Sequence, residues 1–292
     1  RLREEFAPGG VLHYGQGKWY PGEQLPRWAF GLYWRHDGVP LWHNPALMAP
    51  ETTAGAGMTE AERLGAALTE ALELPADAME PAWEDPATYI FQEHRLPVNL
   101  DPAENNLDDP LERRQLAQAF DRGLGRPTCM VLPCQLAMSQ ARRDRRPRRL
   151  YRWATEKWRT RRGRIYLAPG DASAGYRLPL ASLPFLAENE YPFLYQTDPF
   201  SPRGPLPQTG RIHQSRAGHA APPPPDLPPA EGAPVPPDPA RTILADAVRT
   251  AITIEPRDGK LAVFLPPVPT AEAYIDLIAA VEEAAEETGL PV

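Results

Sequence analysis

The chain has 292 residues, of which 42% are apolar and 24% charged, and its formal net charge is −7. This composition is typical of a soluble globular protein and argues against a general nucleic-acid binder. No apolar run approaches the roughly 18 residues that a membrane span requires, so no membrane contact is predicted.

The first informative segment runs from Leu12 to Glu23 and contains three glycines, three aromatic rings and one lysine. It is too glycine-rich for regular structure, and it therefore predicts a loop. Gly15 and Gly17 would let the backbone approach a ligand closely, and Lys18 would present a compact positive charge to phosphate or carboxylate. The alternative is a tight loop that is braced by its own aromatic rings.

Two aromatic stretches follow, at residues 28–35 and 39–42, on either side of His36-Asp-Gly38. Asp-Gly between apolar runs predicts a hairpin, and large aromatic side chains on paired strands are expected in a core.

Three helices are predicted next. A capping box at Thr59–Glu62 opens a helix that runs to about Leu74. A shorter helix is predicted from Pro86 to His94, and a third from Asp109 to Gly123.

Between the second and third helices, Asn99 and Asp101 lie two residues apart, on one side of the chain if the segment is extended. They could contact a metal or substrate, or they could form a simple polar turn.

Cys129 and Cys134 are the only cysteines, and they have no second pair with which to form a zinc site. A disulfide is possible. We prefer buried or idle thiols in a reducing cytoplasm, because two cysteines are few for a secreted chain.

Residues 142–164 carry twelve Lys and Arg against two acids, interleaved with aromatic residues. Such a mixture can bind nucleic acid, but a dense charge block is more often a solvated loop, which is the interpretation preferred here. A strand is predicted at Arg164–Leu167. In the small-residue loop after it, Asp171, Ser173 and Arg177 could meet phosphate or a substrate carboxylate, or the loop could be a structural turn.

Fourteen prolines lie between residues 199 and 239. This density excludes helix and sheet and predicts an extended linker or surface wrap over residues 203–240. The linker would separate an aromatic-rich domain at 1–202 from a hairpin–helix unit at 241–292.

In that last unit, Arg249–Glu255 and Lys260–Leu265 predict a hairpin, and Thr270 caps a helix that ends at Gly289. Glu255 is expected at the end of its strand, as a metal ligand or as a solvent-facing edge glutamate. The outer face of the helix is expected to be acidic, with Glu282, Glu283, Glu286 and Glu287.

Six blocks of the sequence have the residue order of one known family. They are Tyr14–Glu23, Leu96–Pro102, Leu107–Arg113, Arg162–Asp171, Gly175–Leu180 and Ile254–Pro267. In these blocks the chain resembles the bacterial putative amidoligase family, over nearly its whole length. The family more often has a proline and a bulky apolar residue where this chain has only Ala174, but Arg177 matches.

The resemblance implies a relation to glutamine-synthetase-like carboxylate–amine ligases, with ATP and Mg²⁺ as cofactors and a peptide or amino acid as substrate. It also implies a transglutaminase-like domain in the same parent chain. Because family blocks continue in both directions, the chain is expected to be an internal fragment without ligase activity of its own. The competing interpretation is a non-catalytic peptide-binding or scaffolding region attached to that domain.

The fold is predicted to be α+β, with mostly antiparallel hairpins and several helices. The resemblance implies Lys18 and Arg177 as catalytic residues and Asp101 and Glu255 as metal ligands. The substrate or nucleotide contacts that it implies are Gly15, Gly17, Glu23, Asn99, Asp171 and Ser173. The loop that contains Lys18 is further expected to line the main cleft, within reach of Asp171 or Arg177.

Overall fold

A computed structural model describes the following residues: 2–7, 9–16, 28–50, 52–85, 126–137, 149, 151–158, 164–167, 178–179, 183, 204–207 and 247–292. Helices and strands both occur in this part of the chain, which confirms the α+β class. The helices predicted at 86–94 and 109–123, and the proline-rich tract apart from residues 204–207, lie outside the described residues.

The centre of the fold is a five-stranded sheet. Its strands are β3 (Glu80–Glu84), β4 (Cys129–Pro133), β7 (Ile165–Leu167), β8 (Ala251–Arg257) and β9 (Lys260–Phe264). Their order across the sheet is β7-β3-β4-β8-β9. Neighbouring strands are antiparallel except β7 and β3, which are parallel.

The hairpin predicted near the end of the chain is confirmed as β8 and β9, with Arg257 paired to Lys260 at the turn. Asp258 and Gly259 both have positive φ, 48° and 75°, as a type I′ turn requires. β8 also pairs with β4, so this hairpin shares a sheet with strands from residues 80–167. The division of the chain at residues 202 and 240 stays a prediction.

Two helices cover one face of the sheet. The first, α2 (Met58–Ala71), buries the predicted stripe of Leu64, Leu68 and their neighbours. Its N-cap is Gly57, two residues before the predicted Thr59, and the Glu60 carboxylate accepts a hydrogen bond from the Gly57 N–H at 2.8 Å. It also ends sooner than predicted, at Ala71.

The second covering helix is α3 (Ala271–Thr288), which packs against α2 and has the predicted ends. Thr270 accepts a hydrogen bond from the Ala273 N–H at 3.2 Å, and Gly289 has a φ of 67°. The expectation of a wholly acidic outer face is wrong at Glu282. That carboxylate is buried and accepts hydrogen bonds from the backbone N–H groups of His43 and Asn44, at 2.5 and 2.7 Å.

Near the start of the chain, the short helix α1 (Leu2–Phe6) precedes a two-stranded sheet of β1 (Val11–Gln16) and β2 (Trp28–Tyr33). Two predictions are therefore wrong. Residues 12–16 form a strand rather than a loop, and β2 pairs with β1 rather than with residues 39–42. Gly15 lies opposite Ala29 in the antiparallel register of these two strands.

The expected burial of the aromatic residues in this region is also incorrect for three of them. Phe30 is 74% exposed, and Tyr33 and Trp34 are 55% and 54% exposed. A two-stranded sheet has no second layer of its own to bury them. Trp42, by contrast, packs against the main core.

The described part of the basic segment is anchored to the core. Trp153 is buried in the two-residue strand β6 (Trp153–Ala154), which pairs with β5 (Gln135–Leu136). Trp158, which follows β6 in the chain, is also buried. Arg149 is buried as well: its Nε donates to the carbonyl of Ala71 at the end of α2, at 2.6 Å, and it forms an ion pair with Glu283 of α3. These side chains are used for packing.

One contact fixes the described part of the proline-rich tract. The buried guanidinium of Arg35 donates to the carbonyls of Leu206 and Pro207 and forms an ion pair with Asp37.

None of the helices in the described part of the chain has the length and apolarity that crossing a bilayer requires.

Candidate functional site: the charged face of the sheet

The candidate site is the sheet face opposite α2 and α3. Side chains alternate along a strand, so β8 directs Ile252 and Ile254 into the helix-covered core and Thr253 and Glu255 to the other face. Part of this second face is apolar, with Ala82, Val131 and Ile165 among its buried residues. We call its polar residues the charged face: Thr253, Glu255 and Arg257 on β8, and Glu84 at the end of β3, beside β7.

Glu255 is the only candidate residue from the sequence whose side chain the structure describes, and its surroundings differ from the prediction. The strand continues through Pro256 to Arg257, so Glu255 is not at the strand end. It is 1% exposed, so it is not a solvent-facing edge residue either. β4 pairs with β8 only as far as Ile254, so Pro256 has no partner residue on β4. A proline is therefore accommodated at this position of the strand.

The charge of Glu255 is balanced by Arg257. The Nε of Arg257 donates to Oε2 of Glu255 at 2.9 Å. The guanidinium carbon of Arg257 also lies 5.1 Å from the centre of the Phe264 ring, in a cation–π contact. A carboxylate this deeply buried requires such a partner, because an uncompensated charge in the interior is costly.

Cys129 lies beside Glu255 on the neighbouring strand β4. Burial raises the pKa of the Cys129 thiol well above its ordinary value, and the charge of Glu255 raises it further against the opposing effect of Arg257. Burial likewise raises the pKa of Cys134 to about 12. Both cysteines are free and buried, which confirms the predicted burial of the thiols.

Two further acids of this face come from β3, where Glu80, Ala82 and Glu84 lie on the same side of the strand. Glu84 is buried. Glu80 is partly buried, and its Oε1 has no hydrogen-bond partner in the described part of the chain. Burial raises the pKa of Glu80, and Asp77 adds to this rise while Lys157 opposes it. β3 and β8 flank β4, so their backbones are about 10 Å apart.

The other predicted site residues are only partly located. Gly15 lies in β1, in a different sheet from Glu255. Outside the described residues lie Gly17, Lys18, Glu23, Asn99, Asp101, Asp171, Ser173 and Arg177. The predicted approach of Lys18 to Asp171 or Arg177 therefore stays a prediction.

Sequence reasoning missed Glu84 and Arg257. The predicted strand ends at Glu255, which leaves Arg257 in the turn. Because side chains alternate along a strand, a strand that continues to Arg257 places both residues on one face. Glu80 and Glu84 show the same alternation around Ala82, but Pro81 argues against a strand assignment there. In the structure Pro81 pairs with Met130 in the antiparallel ladder of β3 and β4.

The carboxylates of the charged face are oxygen donors, the type of ligand that a hard divalent cation prefers. Mg²⁺ binds oxygen ligands and usually takes only one or two protein carboxylates, with phosphates and water completing its shell. Glu84 and Glu255 are two buried carboxylates on one face. Within the described ranges, no group of three or more His, Cys, Asp or Glu residues is placed to hold a metal ion. A cation here would therefore depend on ligands beyond these two.

The family described as "Putative amidoligase enzyme (DUF2126)" matches residues 1–292. No curated protein and no solved structure matches the chain.

Proposed function

Because the chain belongs to the putative amidoligase family over its full length, we propose that it forms part of an ATP- and Mg²⁺-dependent carboxylate–amine ligase. Its substrates would be peptides or amino acids. Such an enzyme holds a nucleotide with its metal, activates a carboxylate as an acyl phosphate and admits an amine that displaces the phosphate.

One observation supports this proposal most directly: the charged face. Buried carboxylates and an arginine share one side of a mostly antiparallel sheet, at Glu84, Glu255 and Arg257. Buried ionisable groups are costly to keep in a core, so two buried carboxylates on one face of the sheet support a site there.

In the proposed enzyme, Glu255 supplies a carboxylate ligand to Mg²⁺. The metal would neutralise phosphate charge that develops during transfer. Lys18 and Arg177, with the glycines and polar residues of their loops, would contact the phosphates or the substrate carboxylate. Asp101 would be a second metal ligand. A transglutaminase-like domain in the same parent chain and a cytoplasmic location belong to the same proposal.

The test is Mg²⁺-dependent ATP hydrolysis with a panel of amino acids and peptides, with amide products identified by mass spectrometry. The protein that carries residues 1–292 is assayed with each member of the panel. Glu255→Gln should lower turnover at least about 100-fold, whereas Glu286→Gln, at an exposed position of α3, should leave it unchanged. Native turnover by Glu255→Gln would refute the assignment of the site.

A second function is supported by a different surface. Leu12, Phe30 and Trp34 are large apolar residues that are all more than half exposed. Leu12 and Phe30 share one face of the β1–β2 sheet, as expected for a peptide-binding or scaffolding region. If the protein turns over ATP with none of the substrates, this non-catalytic function is favoured, and Phe30→Ser should then weaken the binding of a panel of peptides while Glu255→Gln should not.

A further inference from the structure

We propose that Arg35 and Asp37 form a docking site for proline-rich peptide segments, and that residues 204–207 of the same chain occupy this site. We call the two side chains the clamp. None of the six family blocks contains Arg35 or Asp37, so the resemblance assigns them no role. The clamp is not part of the charged face, and a test of it needs no ATP turnover, so it can hold or fail independently of the proposed ligase.

The guanidinium of Arg35 donates hydrogen bonds in two directions. Towards Asp37, its Nε donates to Oδ1 at 2.9 Å and its Nη2 donates to Oδ2. Towards the peptide, Nη2 donates to the carbonyl of Leu206 at 3.3 Å, and Nη1 donates to the carbonyl of Pro207. A guanidinium is a rigid planar fork, so the carboxylate that holds one edge also fixes where the remaining donors point. Asp37 therefore orients Arg35 towards two consecutive carbonyls.

The Arg35 side chain is buried where it meets the peptide. It is 2% exposed, whereas the side chain of Asp37 is 45% exposed. In the peptide, residues 206–207 are half-buried, while residues 204–205 are exposed. A buried guanidinium requires both a counter-charge and acceptors for its N–H groups. Asp37 supplies the charge, and the peptide supplies two of the acceptors.

A proline-rich segment suits the clamp because of its backbone. Pro205 and Pro207 have no N–H group, so residues 205–207 offer three carbonyl acceptors and only one backbone donor. Arginine is the complementary group, since it has N–H donors and no acceptor. A residue that precedes proline is restricted to extended conformations, so Leu206 loses little further freedom on docking. Proline-rich segments are common ligands of proteins for this reason, because they are largely ordered before they bind.

The main experiment is limited proteolysis with trypsin in the protein that carries residues 1–292. The bond after Arg203 directly precedes the docked residues 204–207, and a protease must bind residues on both sides of the bond that it cuts. Arg35→Met should therefore raise the rate of cleavage after Arg203 at least about 10-fold, because hydrogen bonds from a charged donor are lost and the released state is more populated. Cleavage after Arg216, further along the proline-rich tract, should not change.

Two further variants separate the shape of the clamp from its charge. Arg35→Lys keeps the positive charge beside Asp37 but has no planar fork, so it should raise cleavage after Arg203 nearly as much as Arg35→Met does. Pro207→Ala keeps both carbonyls but loosens the chain, and it should raise this cleavage about 2- to 5-fold. Arg63→Met is the matched control: it removes an arginine–carbonyl contact at the end of α3 and should leave the cleavage unchanged.

A second measurement uses a separate peptide. The resident segment is released by combining Pro205→Gly, Leu206→Ser and Pro207→Gly, and a fluorescently labelled peptide with the sequence of residues 202–209 is then added. Fluorescence anisotropy should show saturable binding, weakened at least about 10-fold when Arg35→Met is also present. A glycine–serine peptide of the same length should not bind, because it lacks the restricted backbone.

Three outcomes would overturn the docking site. Unchanged cleavage after Arg203 in Arg35→Met or in Arg35→Lys would show that the guanidinium does not hold the segment. An equal rise after Arg216, or an equal rise in Arg63→Met, would show general destabilisation instead of release. Failure of the released protein to bind the peptide would reduce the contact to a fixed structural tie. Absence of ATP turnover, by contrast, would refute the ligase and leave the docking site intact.

Discussion

The two faces of the five-stranded sheet are made by the same strands but have different chemistry. On the helix-covered face, Ile252 and Ile254 of β8 pack with Leu132 of β4 and Leu277 of α3. On the opposite face, β8 presents Thr253, Glu255 and Arg257. The strand thus alternates between residues that contribute to stability and residues whose burial costs free energy.

This difference shows where function can be placed in a small fold. The helix-covered face supplies apolar burial, worth roughly 25 cal/mol for each Å² removed from water. The free energy of this apolar burial offsets the cost of the buried charges on the other face. Proteins rarely keep such charges without a partner or a function. The comparison predicts that changes on the two faces affect different quantities, namely stability on one and ligand binding on the other.

The largest expected effect is on the helix-covered face. Leu277→Ala should lower the free energy of unfolding by about 3–5 kcal/mol, because Leu277 is fully buried and its truncation leaves a cavity between α3 and the sheet. Urea denaturation measures the change. Glu287→Ala, at an exposed position of the same helix, should change it by less than about 0.5 kcal/mol. Equal effects of the two variants would remove the distinction between the faces.

The next effect tests whether the charged face is coupled through its ion pair. Arg257→Met leaves the buried carboxylate of Glu255 without this counter-charge and should cost about 2–3 kcal/mol. This lies below the usual cost of breaking a buried pair, because about a third of the Arg257 side chain is exposed. Glu255→Gln should cost less, since Arg257 reaches solvent. The double variant should be more stable than Arg257→Met alone, and strict additivity in urea denaturation would contradict the coupling.

A smaller, pH-dependent effect is expected at Glu80. Because burial raises its pKa in the folded state above 4.5, the folded protein binds the proton more tightly than the unfolded chain does. The contribution of Glu80 to stability therefore falls as the pH rises above about 4.5. In Glu80→Gln this fall should disappear, so the variant should be more stable than the native protein above about pH 4.5. Unfolding experiments between pH 4 and 7 measure it, and an identical pH dependence in both proteins would contradict the prediction.

The smallest effect is expected at Asp37, which lies on neither face. The hydrogen bond from Arg35 lowers the pKa of Asp37 from 3.8 to about 2. Its contribution to stability is therefore present above pH 3.8 and is lost as the pH falls through about 2. Because Asp37 is solvent-exposed, Asp37→Asn should shift the acid-unfolding curve only slightly. A shift larger than that caused by Glu80→Gln would reverse the expected order.

The sequence predicted local features well where one element determines its own ends. Thr270 and Gly289 fix α3, and Asp258 and Gly259 fix the β8–β9 turn, through backbone geometry that depends on neighbouring residues alone. Pairing partners were harder to predict. β2 pairs with β1 rather than with residues 39–42, because the choice between two possible partners depends on distant packing.

The candidate site was predicted in part for a related reason. Glu255 could be identified from its block of sequence, but its burial depends on β4 and β9 on either side. Glu84 could not be associated with it, since the strands of the two residues are placed in one sheet only by β4, which comes from a third part of the chain. The partners of a buried charge follow from tertiary structure and leave little trace in sequence spacing.

The order of strands in the sheet also has a consequence for how the protein folds. β4 is paired on one side with β8, whose residues come about 120 positions later in the chain. Contacts between such distant residues form slowly, because the entropy cost of closing a long loop must be met before the paired strands stabilise the fold. During synthesis, β4 and the apolar side of α2 therefore emerge well before the strand and helix that cover them. The nascent chain must be kept from aggregating over that interval, and the sheet can close only once the C-terminal hairpin has left the ribosome.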